Sequence, residues 1–224
     1  MTKKPFLFIS DFDGTLTDKD FFHIMIDSYF QDKKEELYKA WDSKQQTDID
    51  FLSHLFQSIG RSEEEIMEDI INIPFDPYAK TFIEKVKDAG GDFVVISAGS
   101  DYYIKRLFEH LGIKGVDVYS NEGRFQDNGI QLTVKKDHPH YSEMYGIDKA
   151  KVTKDLASKG YEKVYFAGDT APDLKAALTA DVTFAKGKLI SLLEDEKHPF
   201  IPIKNYKDIH HYFIEEGVFK NENV

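Results

Sequence analysis

Two aspartates, Asp11 and Asp13, stand at the end of the short apolar run Phe6-Leu7-Phe8-Ile9 and are followed at once by Gly14 and Thr15. In extended chain, residues two apart face the same way, which puts both carboxylates on one side of a strand's exit. Carboxylates held at close range repel, so either a cation sits between them or one keeps its proton. A second acidic pair, Asp169 and Asp173, lies in Gly168-Asp169-Thr170-Ala171-Pro172-Asp173. Four acids in one pocket cannot all ionise unaided, because a like-charged pair at ~4 Å costs on the order of 4 kcal/mol at an effective dielectric near ~20. A hard divalent cation offsets that repulsion, and Mg2+ suits a site of few carboxylates completed by water.

Polar residues of another kind accompany the acids. Ser97 carries a hydroxyl, Gly14 and Gly99 promise exposed backbone amides, and Lys149 offers a fixed positive charge at a helix start. With Thr15, the residues Ser97, Gly99 and Lys149 form a candidate set for holding a phosphate. Lys151 competes with Lys149, which is preferred because it lies nearer the helix start. A carboxylate nucleophile, a metal and an acid–base partner at the offset of Asp13 support a two-step phosphoryl transfer through an aspartyl-phosphate.

These residues need strands to converge them, and the pattern supplies strands. The opening apolar run, bounded by turn residues, reads as a buried strand. Helical spacing follows in Phe22, Met25, Ile26 and Tyr29, then in Leu52, Leu55, Phe56 and Ile59. Ser62 with Glu65 has the form of a capping box opening a further helix. No strand-like alternation interrupts this stretch, so residues 17–77 are expected to be an inserted helical cap. The aromatic residues Phe21, Phe22, Phe30 and Trp41 are read as the cap's own core. Asp76-Pro77 signals a helix start. Strands are then expected at Phe93–Ile96, Val116–Tyr119, Lys163–Ala167 and Val182–Ala185, the last of the core. A hairpin over Gly123–Val134 turns at Asp127-Asn128-Gly129. Helices follow the second strand, open at Asp148 and Pro172, and close the chain over Tyr206–Gly217, after which the tail is expected to fray.

Strands alternating with helices predict an α/β fold, a Rossmann-like parallel sheet with helices on both faces. Residues 1–16 and 78–224 would form the catalytic core, with 17–77 as the cap. In such sheets ligands bind beyond the carboxyl ends of the strands, where Asp11, Asp13, Ser97, Gly99, Gly168 and Asp169 fall.

Composition narrows the function. The chain has 224 residues, no cysteine and a net charge of −11, with arginine only at 61, 106 and 124. No cysteine means no thiolate chemistry and fits a reducing, cytoplasmic setting. A strongly acidic chain without a basic stripe argues against nucleic acid, and no apolar stretch is long enough for a membrane span. Met1–Pro5 is too short for a signal peptide. Between Thr17 and Ala79 stand fifteen acids against six bases. That excess is a solvated helical surface or, on a sharper reading, an acidic lid favouring amine-bearing substrates.

In order, DFDGT, ISAGS, a lysine and GDTAPD resemble the motifs of the haloacid dehalogenase superfamily of phosphatases, over nearly the whole chain. The resemblance implies Asp11 as nucleophile and metal ligand, and Asp13 as general acid/base lending its carbonyl to the metal. It further implies Ser97 and Lys149 as phosphoryl ligands, Asp169 as a metal ligand and Asp173 as support for the metal shell. The cofactor implied is Mg2+ and the substrate a small phosphorylated metabolite. An acid at position 13 favours phosphate over halide chemistry. Within the superfamily the chain is similar to two groups. Pro139-His140 and GDTAPDLKAA resemble the methionine-salvage enol-phosphate phosphatases, although their cysteine-rich stretch is missing. The other group is the phosphoserine phosphatases, where a glutamate and a cap arginine grip the substrate; here the corresponding positions are Asp20 and, in an interhelix turn, Arg61. Asp20 either meets a substrate amine or answers a helix dipole.

Three other candidates carry less. His138 and His140 flank a proline without further zinc ligands. His210 and His211 lie on a surface helix. Asn121, Glu122 and Asp127 fail calcium-loop spacing. The alternatives to a phosphatase are a phosphotransferase or mutase on the same scaffold, or a phosphoacceptor signalling domain.

Overall fold

The computed structural model describes residues 4–220. Strand β1 (Lys4–Ser10) is its centre, and its side chains alternate. Phe6 and Phe8 point into one apolar cluster, Leu7 and Ile9 into another on the opposite face. This period of two on a strand buried on both sides explains why the run is apolar without a break.

Four helices follow β1: α1 (Phe21–Tyr29), α2 (Lys34–Ser43), α3 (Asp48–Gln57) and α4 (Glu63–Ile71). The expected capping box is present at α4, where Glu65 N donates to Ser62 Oγ and Ser62 N to Glu65 Oε2. Helix α2 has no fully buried residue, but Leu37, Tyr38, Ala40 and Trp41 pack half-buried against the core cluster. The segment leaves and rejoins the sheet through a narrow neck. Thr17 and Phe75 form an antiparallel bridge, flanked by bonds from Asp18 N to Pro74 O and from Asp76 N to Leu16 O, each 2.9 Å.

Beyond the neck come α5 (Ala79–Asp88), β2 (Asp92–Ser100), α6 (Asp101–His110), β3 (Asp117–Gln126) and β4 (Gly129–Thr133). Then follow the small hairpin β5 (Tyr141–Ser142) and β6 (Gly146–Ile147), α7 (Lys149–Ala157) and β7 (Tyr161–Gly168). A 3-10 turn at Ala171–Asp173 leads into the short α8 (Leu174–Ala177), β8 (Val182–Ala185), α9 (Gly187–Asp195), β9 (Ile201–Pro202) and α10 (Tyr206–Glu215). Strand order is β4-β3-β2-β1-β7-β8-β9, parallel throughout except for the antiparallel β3–β4 pair. Order reverses at β1, the switch point whose carboxyl end is the natural crevice of an open α/β sheet.

Several expectations need correcting. The short strand at 116–119 and the first arm of the hairpin are one strand, β3, which pairs with β2 and then, past a register shift, with β4. Its turn is a two-residue loop with Asp127 and Asn128 both at positive φ (51° and 59°), the geometry that matches strand twist. Val182–Ala185 is not the last strand, since β9 adds to its edge. Two residues are too short to carry a readable period. Pro172 opens a 3-10 turn before α8 rather than a full helix. Beyond α10, Phe219 is buried and its amide returns to Phe213 O, and the fraying expected of the final residues falls on 221–224, outside the described ones. No helix among the described residues is long and apolar enough to cross a membrane.

Asp76 is buried and does more than open a helix. Its Oδ1 accepts from Tyr78 N and its Oδ2 from Tyr206 N, both at 2.8 Å, so it ties the neck to the start of α10. An orphaned buried donor costs about 1–3 kcal/mol. Asp76→Ala orphans the buried Tyr206 N, whereas the Tyr78 amide lies nearer water, so unfolding free energy should fall by about 1–3 kcal/mol in urea titration; a change below about 0.5 kcal/mol would contradict this role.

Candidate active site

The carboxyl ends of β1, β2 and β7 and the N-terminus of α7 meet below helices α1 to α3. The cavity between them has a volume of 430 Å3. Asp11 follows the last residue of β1, anchored by its amide to Ala167 O of β7 at 2.9 Å. Asp169 follows the last residue of β7 in the same way, and neighbouring parallel strands thus deliver acids 158 positions apart to one spot. Ligand oxygens of Asp11, Asp169 and Asp173 all lie within 4.8 Å of one another, the one such group among the described residues.

Lys149 sits in the middle of these acids and is only 4% exposed. Its Nζ is 2.6 Å from Asp11 Oδ1 and 2.7 Å from Asp173 Oδ1. Asp148 caps α7 by accepting from Ala150 N and Lys151 N, which sets the helix's first turn and aims Lys149 inward. Lys151 points away, its Nζ donating to Tyr141 O at 3.0 Å. Burial alone would strip the proton from Lys149, but the two carboxylates outweigh it and hold the ammonium charged.

Asp173 divides its oxygens. Oδ1 takes the Lys149 ammonium, and Oδ2 accepts from Asp169 N and Thr170 N at 3.0 and 3.1 Å. It therefore fixes both the lysine and the loop that carries Asp169. The acids remain under strain: burial, then the Asp173 charge, raises Asp11 well above the usual carboxylate range. The same two causes push Asp169 up to about 7. One buried ammonium does not neutralise three buried carboxyls. The donor set fits a hard divalent cation, which would supply the missing charge through oxygen ligands.

Asp13 does not share Asp11's environment. The strand ends at Ser10, Phe12 turns down into the core, and Asp13 faces the helices. Its Oδ1 accepts from Phe21 N, the first residue of α1, at 3.0 Å. Its Oδ2 accepts from Tyr103 OH at 2.6 Å and Ser97 Oγ at 3.2 Å. Burial raises its proton affinity and these three donors partly offset that. Tyr103 escaped the sequence reading because its contact depends on Gly99: a Cβ there would lie 1.7 Å from the tyrosine hydroxyl. Gly14 is needed twice over, by φ of +75° and because a Cβ would fall 2.1 Å from Asp169 Oδ2.

The other candidates are placed as follows. The Gly99 amide donates to Ser97 Oγ at 2.9 Å and the Gly14 amide to Thr17 Oγ1 at 3.2 Å, so neither stands free as expected. Thr15 is buried with its hydroxyl toward Asp169 Oδ1, at 3.4 Å. Asp20 lines the cavity, pushed up to about 8 by burial and then by Asp13. Arg61 does not line it; its guanidinium lies over Tyr29 and beside Glu65. Of the fifteen acids between 17 and 79, only Asp20, Asp42 and Asp48 line the cavity, and Asp48 is paired with Lys44. The acidity is mainly an outer surface. His140 pairs with Asp155 at 2.5 Å, while His138 Nδ1 accepts the amide of His140, which turns it from shared ligation. Asn121 donates to Ala98 O and Tyr145 O, bracing the β2 end. Glu122 pairs with Lys135, and Asp127 lies in the hairpin turn.

Residues 8–178 match the family model described as haloacid dehalogenase-like hydrolase. A curated relative from Bacillus cereus, 2-hydroxy-3-keto-5-methylthiopentenyl-1-phosphate phosphatase, is 29% identical over 204 residues, covering 89% of this chain and 91% of that protein. Its namesake from Bacillus pumilus is 26% identical over 215 residues, 90% of each chain. Among solved structures, a phospho-aspartyl intermediate analogue of phosphoserine phosphatase superposes with TM-score 0.68 at 20% identity, over 94% of this chain and 99% of that one. The phosphoserine phosphatase of T. onnurineus gives TM-score 0.63 at 21% identity over 94% of each. At these identities the structural likeness speaks for the fold.

A cation bound among these acids should stabilise the fold. At a hundredfold excess over its Kd, Mg2+ is expected to add about 2.7 kcal/mol, a rise of roughly 5–10 °C in melting temperature. Asp169→Asn should remove that rise while melting no lower than the unsubstituted protein in chelator. An equal Mg2+ response in both proteins would contradict the site.

Proposed function

The chain belongs to the haloacid dehalogenase-like hydrolases, and we propose that it works there as a Mg2+-dependent phosphatase on a small phosphorylated metabolite. The observation that carries this reading is the Lys149 ammonium between Asp11 and Asp173, beside Asp169, at the sheet's switch point. Asp11, Asp169 and Asp173 would hold the Mg2+, with Asp13 lending its carbonyl. When bound, the ion supplies positive charge against the phosphoryl oxygens and the nucleophilic carboxylate.

The chain's own residues do the rest. Asp11 attacks phosphorus and forms an aspartyl-phosphate as the P–O bond to the leaving group breaks. Its Oδ1 is fixed by Phe12 N at 2.6 Å and by Lys149, which leaves Oδ2 as the attacking atom. Lys149 and Ser97 meet the transferring oxygens, while the Gly99 amide holds Ser97 Oγ and the Thr15 hydroxyl faces Asp169. Asp13 gives its proton to the departing alkoxide and then takes one from the water that hydrolyses the intermediate. Its three donors hold it toward the cavity and keep it away from Asp11, so acid and nucleophile do not quench one another. The helices of 17–77 act as the cap over this chemistry. Their apolar residues continue the core cluster of the sheet's α5 face without a break.

The relatives named as methionine-salvage phosphatases support a substrate of small size. Release of free phosphate from p-nitrophenyl phosphate without an added acceptor is expected, and an absolute need for an acceptor would favour a phosphotransferase. Asp11→Asn should abolish turnover and Asp13→Asn should lower kcat by about 10²–10⁴-fold, both with unchanged circular dichroism. Undiminished activity in Asp11→Asn, or full activity in excess chelator, contradicts the mechanism.

A further inference from the structure

The cavity has a second polar end, away from Asp11, that the phosphoryl chemistry does not use. Lys44 is the residue that closes α2, and its backbone is left-handed, with φ of 50°. Its ammonium lies 3.7 Å from the centre of the Trp41 ring and 2.8 Å from Asp48 Oδ1. Asp48 is buried in the first turn of α3. Trp41, Lys44, Asp48 and Tyr145 all line the cavity. Tyr145 comes from the core, on the β5–β6 hairpin, whose Met144 O accepts from Ile49 N at 3.1 Å. Cap and core thus join at this end. Burial, with Asp48 next, raises the Tyr145 hydroxyl's proton affinity and keeps it a donor.

A lysine ammonium carries three donors and no acceptor. Asp48 takes one and the face of Trp41 a second, leaving a third for a ligand, beside the phenol. Asp48 already has its partner, Asp42 is exposed at the rim, and Phe22 and Leu52 add apolar surface to the cavity wall.

We propose, on the phosphatase reading above, that Lys44 is a specificity-determining residue: it recognises an oxygen acceptor at the end of the substrate remote from its phosphate. The acceptor is a hydroxyl, carbonyl or carboxylate oxygen, carried on an apolar chain. An ammonium at that end meets like charge. This runs against the amine preference that the acidic composition of 17–79 suggests, because the acids that remain in the cavity are paired, exposed at the rim or gathered near the reacting end.

The test is a matched series of n-alkyl phosphates of three to five carbons ending in methyl, hydroxyl, carboxylate or ammonium. The unsubstituted enzyme is expected to show kcat/KM for its best oxygen-ended ester about tenfold or more above the methyl-ended one, the difference one charge-assisted hydrogen bond makes. The hydroxyl and carboxylate arms decide between a neutral and an anionic acceptor. Lys44→Met keeps the stem on Trp41 but strands Asp48, so Lys44→Met/Asp48→Asn is measured beside it. In the double variant the oxygen-to-methyl ratio should fall to within about twofold, the loss lying in KM with kcat nearly kept. A ratio that survives the double variant, or an ammonium-ended ester preferred by the unsubstituted enzyme, overturns the proposal and leaves the phosphatase reading standing. No turnover of any ester, p-nitrophenyl phosphate included, overturns both.

Discussion

A single buried ammonium holds this site together. Lys149 is almost wholly out of solvent, and removing a charge from water costs several kcal/mol unless partners replace the hydration. Asp11 and Asp173 are those partners, and each is itself buried. The arrangement is charged on both sides, and loss of Lys149 would leave buried carboxylates without their cation, a change of about 3–5 kcal/mol in comparable buried pairs. The acids still outnumber the lysine. That imbalance lifts the proton affinity of Asp11 and Asp169 and makes a divalent cation a fitting completion of the cluster.

Position does the remaining work. Parallel strands β1 and β7 run side by side from Lys4 and Tyr161 to Ser10 and Ala167, so Asp11 and Asp169 exit within one residue of each other in register. Asp13, two residues beyond Asp11, is handed to a different set of partners. Its bonds to Phe21 N, Tyr103 and Ser97 draw one donor from the inserted helices and two from the β2–α6 region. The carboxylate therefore reads both the sheet and the helices above it. Phe21 stacks near Tyr103, ring centroids 4.5 Å apart, so the same contact is reinforced by apolar packing. At the neck, Asp76 binds the return of the insert to α10.

Much of this was legible in the sequence, for physical reasons. The strand–turn boundary at Asp11 to Thr15, the hairpin turn at Asp127-Asn128-Gly129 and the Ser62–Glu65 box are local signals, each complete within a few residues. Alternating strands and helices gave the parallel sheet, and a parallel sheet brings acids at strand ends together. Other features depend on partners far along the chain. Asp76 reads as a helix start because its second acceptor role belongs to Tyr206, 130 positions away. Tyr103 reads as one more apolar helix residue until Gly99 is seen to leave room for its hydroxyl. Lys44 sits in a polar run with no pattern to mark it. Helix α2 has only a half-buried face, and β9 is too short to have a period. The composition of 17–79 left a solvated surface and an acidic lid both open, because net charge along the chain does not tell which side chains face inward.

The central claim is that Asp11 becomes covalently phosphorylated, and trapping the phosphoryl adduct tests it most directly. After several turnovers in unlabelled water with substrate bearing labelled non-bridging oxygens, acid quench and peptide mass analysis should find the phosphoryl group on the peptide carrying Asp11. The phosphoryl adduct on that peptide, lost in Asp11→Asn, is the predicted result. A rapidly turning-over enzyme with no adduct at any quench time, or one mapped to Ser97, would contradict the account.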